Sequence, residues 1–124
     1  MKSSFDPHDL MVVLDGIDDA VVKLDGKARF VGMNLAAATI YQRIGLSFLK
    51  HLKGNSFWEV WPQLKGTFVE KELFRVIDDH VQVSFEFRNP RDQRWYETKG
   101  YPSSPGVILV FRDITDEKTG SQSS

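Results

Sequence analysis

Four short stretches of this chain bring reactive side chains close together, and their spacing decides what each can do. Asp78-Asp79-His80 carries two carboxylates and an imidazole, the donor types of a metal site. Adjacent helical positions point about 100° apart, so three in a row do not converge on one ion. The run reads as the solvated end of a helix, with His80 well placed for the helix dipole. Ser47-Phe48-Leu49-Lys50 has the Ser-x-x-Lys spacing of serine acylases. A chain of 124 residues is too short for that fold, and the companion motifs are missing. Asp18-Asp19 and Glu70 with Glu72 pair carboxylates at a hairpin entrance and on the outer side of a helix, while His8 and His51 have no evident partner. No nucleophile, base and orienting group assemble from these residues, and no glycine loop cradles a phosphate. The sequence thus offers no catalytic residue and no metal site.

Asp113-Ile114-Thr115 promises a different chemistry. The Asp113 carboxylate can accept from the N–H or hydroxyl of Thr115, which locks the turn where the chain leaves a strand.

Composition narrows the classes further. Hydrophobic residues make up 41% and charged residues 27%, ordinary for one globular domain with a modest core. The net charge of -1 and the lack of a basic stripe argue against nucleic acid as a partner. Without cysteine there are no disulfides, thiolate metal sites or thiol nucleophiles. No apolar run nears the roughly 20 residues of a membrane span. The N-terminus lacks a signal-peptide core, so the expected location is cytoplasmic, with no membrane contact.

The elements that would position these residues follow from periodicity and punctuation. Asp6-Pro7 starts a short amphipathic N-terminal helix that ends at Gly16. Ala20 to Leu24 and Ala28 to Met33 flank Asp25-Gly26 as a hairpin. Asn34 caps an alanine-rich helix, and short helical turns fill the segment from Ile44 to Leu64. Thr67 with Glu70 forms the pattern of a capping box, and the helix it opens runs to about His80. Val81 to Arg88 alternates as a strand, Arg94 to Tyr101 returns, and Gly106 to Phe111 closes the series. Strands at both ends with helices between them predict an α+β domain, one antiparallel sheet with helices packed on one face. The last strand is apolar at both parities, so its second face needs cover from the N-terminal helix, a second copy or a neighbouring domain.

This order resembles the PAS fold over nearly the whole chain, from about Leu10 to Lys118. Phe30-Val31-Gly32-Met33-Asn34-Leu35-Ala36-Ala37 is similar to the family's second strand and asparagine-capped helix. Gly54-Asn55-Ser56-Phe57-Trp58-Glu59-Val60-Trp61-Pro62 resembles its glycine, small-residue, aromatic and proline segment. Arg94-Trp95-Tyr96-Glu97 and Phe111-Arg112-Asp113-Ile114-Thr115 look like its fourth and fifth strands. The resemblance implies a five-stranded antiparallel sheet in the order 2-1-5-4-3, preceded by the N-terminal helix. It divides the chain into an N-terminal segment (1–18), the PAS domain (19–115) and a polar tail or start of an output linker (116–124).

The family is one of sensory modules, so the resemblance implies signal transduction, as in two-component systems, rather than catalysis. A small ligand or partner would bias the domain and pass the change to a linked or docked effector of kinase or cyclase type, with a homodimer as the expected state. Cavity candidates, chosen by inward parity, are Leu24, Met33, Tyr41, Trp61, Val76, Ile77, Phe85 and Val110; Asp113 and Thr115 form the signal exit. No cofactor is expected. Haem through His80 and a non-covalent flavin are what the resemblance leaves open, since flavin adducts and thiol-anchored chromophores need a cysteine. Two other readings stand beside this one: a conical-barrel hydratase or isomerase of the nuclear-transport-factor-like type, and a ligand-free dimerisation module.

Overall fold

The computed structural model describes residues 19–46 and 53–118. The expected N-terminal helix, the Ser-x-x-Lys run, His8, His51 and the tail beyond 118 lie outside the described residues.

The first hairpin forms where β-branched residues flank Asp25-Gly26, giving β1 (Ala20–Leu24) and β2 (Phe30–Met33). Asn34 then caps helix α1 (Leu35–Arg43) by accepting from Ala37 N–H at 3.0 Å. Its Oδ1 also accepts from Val21 N–H at 2.9 Å, and its Nδ2 donates to Asp19 O, so one buried amide fixes α1 to the edge of β1. The segment of poor periodicity resolves into α2 (Phe57–Val60) and a 3₁₀ turn (Pro62–Leu64). Ser56 and Glu59 form a reciprocal capping box there, which explains a helical start in a stretch with little periodicity.

Helix α3 (Phe68–Asp79) starts at Thr67, whose hydroxyl accepts from Val69 N–H. Glu70 differs from the expected box. The Thr67 N–H is already given to Leu64 O, so Glu70 Oε1 reaches one residue further back, to Gly66 N–H at 2.9 Å. The helix ends at His80, exposed and in the left-handed conformation (φ 56°), and buries Val69, Leu73 and Val76.

Strands β3 (Val83–Arg88), β4 (Trp95–Pro102) and β5 (Val107–Asp113) complete an antiparallel sheet in the order β2-β1-β5-β4-β3. Two glycines set its fit. Gly106 sits at φ 98°, and a β-carbon there would lie 2.1 Å from Leu24 O, so no other residue lets β5 enter beside β1. Gly100 brings α3 onto the sheet, since a β-carbon there would press on Val76 and Val83 at 3.1 and 3.2 Å.

The inner face carries Ala20, Val22, Leu24, Val83, Val107 and Leu109 into one core with the helices. Each valine or leucine among them adds roughly 1.5–3 kcal/mol on full burial. The outer face is not uniformly apolar. Val21, Tyr101, Ile108 and Val110 form an apolar group on it, while Trp95 stands apart beyond Glu97 and Lys99, with Lys118 over its ring. Beside that group, Glu97, Arg112, Glu117, Glu86 and Lys118 make ion pairs. After β5 the chain turns into a short helical segment over 115–118. No helix among the described residues is long and apolar enough to cross a membrane.

Candidate ligand cavity and its link to the exit strand

Between the helices and the inner sheet face lies a cavity of about 50 Å³. Helix α1 supplies Ile40 and Tyr41, and Ile44 follows at its end; α2 and the 3₁₀ region supply Phe57, Trp61 and Leu64; α3 supplies Val69 and Leu73. The sheet closes it with Phe85, Phe87, Tyr96, Thr98, Leu109 and Phe111, and Asn89 sits in the β3–β4 turn. These strand positions share the parity of the buried core. Phe85 pairs with Thr98, Phe87 with Tyr96 and Thr98 with Phe111.

The aromatic wall is ordered by edge contacts and one hydrogen bond. Tyr41 and Trp61 meet edge to face at 5.8 Å, and Trp61 Nε1 donates to the Tyr41 hydroxyl at 3.1 Å. Burial pushes the Tyr41 phenol well above its ordinary range, against the opposing pull of the Trp61 bond, so it stays protonated. Arg91 covers the outer side of Trp61, its guanidinium 5.1 Å from the ring, and donates to Val60 O.

Of the residues singled out from sequence, Tyr41, Trp61 and Phe85 line this cavity. Leu24, Met33 and Val76 do not; they are buried in the core, Val76 against Gly100. Ile77 is half-buried at the edge of that core and likewise outside the lining. Val110 is a correction of parity. It pairs with Val21 and Lys99 on the outer face, and its neighbours Leu109 and Phe111 face the cavity instead. A strand apolar on both sides hides its own parity, and only the pairing with β1 and β4 resolves it.

His80 caps α3 away from the cavity, and the cavity volume falls far below the roughly 300–1,000 Å³ of pockets for larger ligands. Neither haem through His80 nor a flavin fits the site as packed. Among the lining residues there is no Asp, Glu or His, the types an acid–base enzyme of the conical-barrel kind would need.

Sequence reasoning missed the residue that joins the cavity to the exit. The Tyr96 ring lines the cavity, while its hydroxyl donates to Asp92 Oδ2 at 2.7 Å and accepts from Arg43 Nη2 at 2.9 Å. Burial raises its phenol pKa first, and the Asp92 carboxylate raises it further. Arg43 stands 3.6 Å from Asp92 and 3.9 Å from Asp113 Oδ2, the oxygen that also receives Arg94 Nε. The other Asp113 oxygen accepts from Thr115 N–H at 2.9 Å. Thr115 Oγ1 in turn accepts from Trp95 N–H at 2.8 Å, which pins the exit turn across to β4. Burial alone would raise the Asp113 carboxyl. The Thr115 hydroxyl and N–H and the Arg94 guanidinium together outweigh it and hold the group below the usual carboxylate range. The sequence had shown the Asp113–Thr115 end of this network but not its link to Tyr96, which is paired with Asp113 across β4 and β5.

Comparison with known proteins agrees with this architecture. A family model described as the PAS fold matches residues 14–119. The PAS domain of a protein from Colwellia psychrerythraea is 20% identical, with a TM-score of 0.64 over 85% of this chain and 93% of that one. The photoactive yellow protein domain of the sensor histidine kinase Ppr from Rhodospirillum centenum is 12% identical, with a TM-score of 0.65 over 82% and 89%. The PAS domain of BvgS from Bordetella pertussis is 16% identical, with a TM-score of 0.64 over 92% and 90%. At these identities the likeness is one of fold. No curated protein sequence matches the chain.

Proposed function

The chain belongs to the PAS-fold family, and from that membership we propose that it serves as a sensory module in signal transduction. A small molecule in the cavity would bias two packings of the sheet and its flanking helices, and the exit turn would report the shift. One observation carries this reading: the Tyr96 side chain forms the cavity wall with its ring and joins the Asp92, Arg43 and Asp113 network with its hydroxyl. An occupant that displaces the ring must strain or break those bonds. The segment they hold is the one that leads out of the domain.

The output would be a linked or docked effector of kinase or cyclase type. A solved relative of similar fold is a domain of a sensor histidine kinase, which supports an effector of that kind. Homodimerisation would use the apolar group on the outer sheet face, where Tyr101, Ile108 and Val110 are half-buried. The absence of acid, base or histidine from the cavity lining supports a binding role over a catalytic one. Native mass spectrometry of the purified full chain tests the reading, because it reports a co-purified small molecule and the oligomeric state together. Amide exchange at 113–118 should be altered in the loaded form relative to the stripped form. Identical exchange in both would refute the proposal.

A further inference from the structure

The cavity wall contains one residue that breaks its own pattern. Phe85, Tyr96, Leu109 and Phe111 surround Thr98 on the inner sheet face, where only apolar or aromatic bodies otherwise stand. Thr98 is 6% exposed, and its Oγ1 is the one buried side-chain polar atom among the described residues without a hydrogen-bond partner. A hydroxyl in that position is costly when unpaired, so folded proteins leave few of them. A purely structural threonine on a strand would return its proton to a nearby carbonyl, and this one does not. Across the cavity, the Tyr41 hydroxyl accepts from Trp61 Nε1, and no acceptor among the described residues takes its own proton. Of the other polar side chains in the lining, Asn89 commits Oδ1 to Arg91 N–H at 2.8 Å, and the Tyr96 hydroxyl is held by Asp92 and Arg43.

We infer that the cavity takes a small, uncharged, mostly apolar molecule bearing one carbonyl or hydroxyl group, and that Thr98 recognises that group. The inference rests on the proposed reading of the cavity as a ligand site. Size follows from volume: a water needs about 10–15 Å³ of such space. At about 50 Å³ the cavity has the scale of a short or cyclic ketone or alcohol. Neutrality follows from the walls. The lining has no charged side chain, so a carboxylate or ammonium would enter desolvated and unpaired. The single polar group follows from Thr98, which can donate to a carbonyl or accept from a hydroxyl.

Three matched probes test this on the full chain: cyclopentane, cyclopentanone and cyclopentanecarboxylate, followed through amide signals of the cavity residues. Cyclopentanone should bind about 3–10-fold more tightly than cyclopentane, the ratio one net hydrogen bond supplies. The carboxylate should bind most weakly. Thr98→Val keeps the shape and removes the hydroxyl. It should reverse the preference, binding cyclopentane more tightly because the ketone carbonyl then enters desolvated and unpaired, and it should melt at a higher temperature than the wild type. Equal binding of the two neutral probes by the wild type would overturn the role of Thr98, while the cavity would stand as a ligand site. A preference that survives in Thr98→Val, or tightest binding of the carboxylate, would overturn it in the same way. If none of the probes shifts any cavity signal, the inference and the ligand-site reading both fail.

Discussion

The Tyr96 hydroxyl donates to Asp92 Oδ2 at 2.7 Å, so a residue whose ring walls the cavity is tied by its tip to the β3–β4 turn. The same oxygen accepts from Arg43, which approaches Asp113. Tyr96→Phe keeps the wall and cuts the tie. It should cost about 1–3 kcal/mol, because Asp92 loses a hydrogen-bond donor at a partly buried site. Chemical denaturation measures the cost, and a loss above that range would mean that the ring itself had shifted.

Asp113→Ala should loosen the exit without unfolding the domain. The side chain accepts from Thr115 and pairs with Arg94, and each bond contributes about 1 kcal/mol against a total of roughly 5–15 kcal/mol. Hydrogen exchange should quicken over 113–118 and change little in Val83 to Phe87. Uniform acceleration would make Asp113 a determinant of the fold rather than a latch.

The same latch should respond to acid. The Asp113 pKa is lowered in the folded state, so its stabilising contribution is fully present above the ordinary carboxylate value near ~3.9. It is lost as the pH falls through the lowered folded value. Exchange at 113–118 should therefore be pH-independent above the ordinary carboxylate value, after correction for intrinsic rates, and should accelerate progressively as the pH falls from there through the lowered folded value. Asp113→Asn should remove the transition.

Gly106→Ala should be severely destabilising, on the order of 2–4 kcal/mol. The new methyl would collide with Leu24 O at a backbone angle that disfavours side chains. Gly54 also has positive φ but open space around it, so Gly54→Ala should cost less. Thermal melts of the two variants give the comparison.

The domain should self-associate at micromolar concentration through the outer face, and removal of residues 1–14 should weaken the association. Sedimentation of both forms checks this; an unchanged monomer would refute it.

The strands, the asparagine cap and the long helix were legible because local rules and tertiary packing agree there, while the strand order followed from the family resemblance alone. Asn34 caps as its type predicts, and α3 buries Val69, Leu73 and Val76 as their spacing predicts. The cavity was less legible. Val76 and Tyr41 are both inward and apolar, and only three-dimensional placement separates a core residue from a wall residue. Val110 was assigned the wrong face because β5 is apolar on both. Thr98 was overlooked although its parity was readable: it stands two residues from Tyr96, on a strand whose inward side is otherwise apolar. Arg43 and Asp92 could not be linked to Asp113 from sequence, since their meeting depends on how α1 and the β3–β4 turn dock at one end of the sheet.

The coupling of cavity to exit is tested most directly by titrating cyclopentanone into the wild type and Tyr96→Phe while following two sets of amides. In the wild type, signals of Thr98 and Leu109 and signals of Ile114 to Lys118 should move together with one binding constant. In Tyr96→Phe the cavity signals should still move and the exit signals should stay in place. Exit signals that move equally in the variant, or that never move while the cavity signals do, would contradict the account.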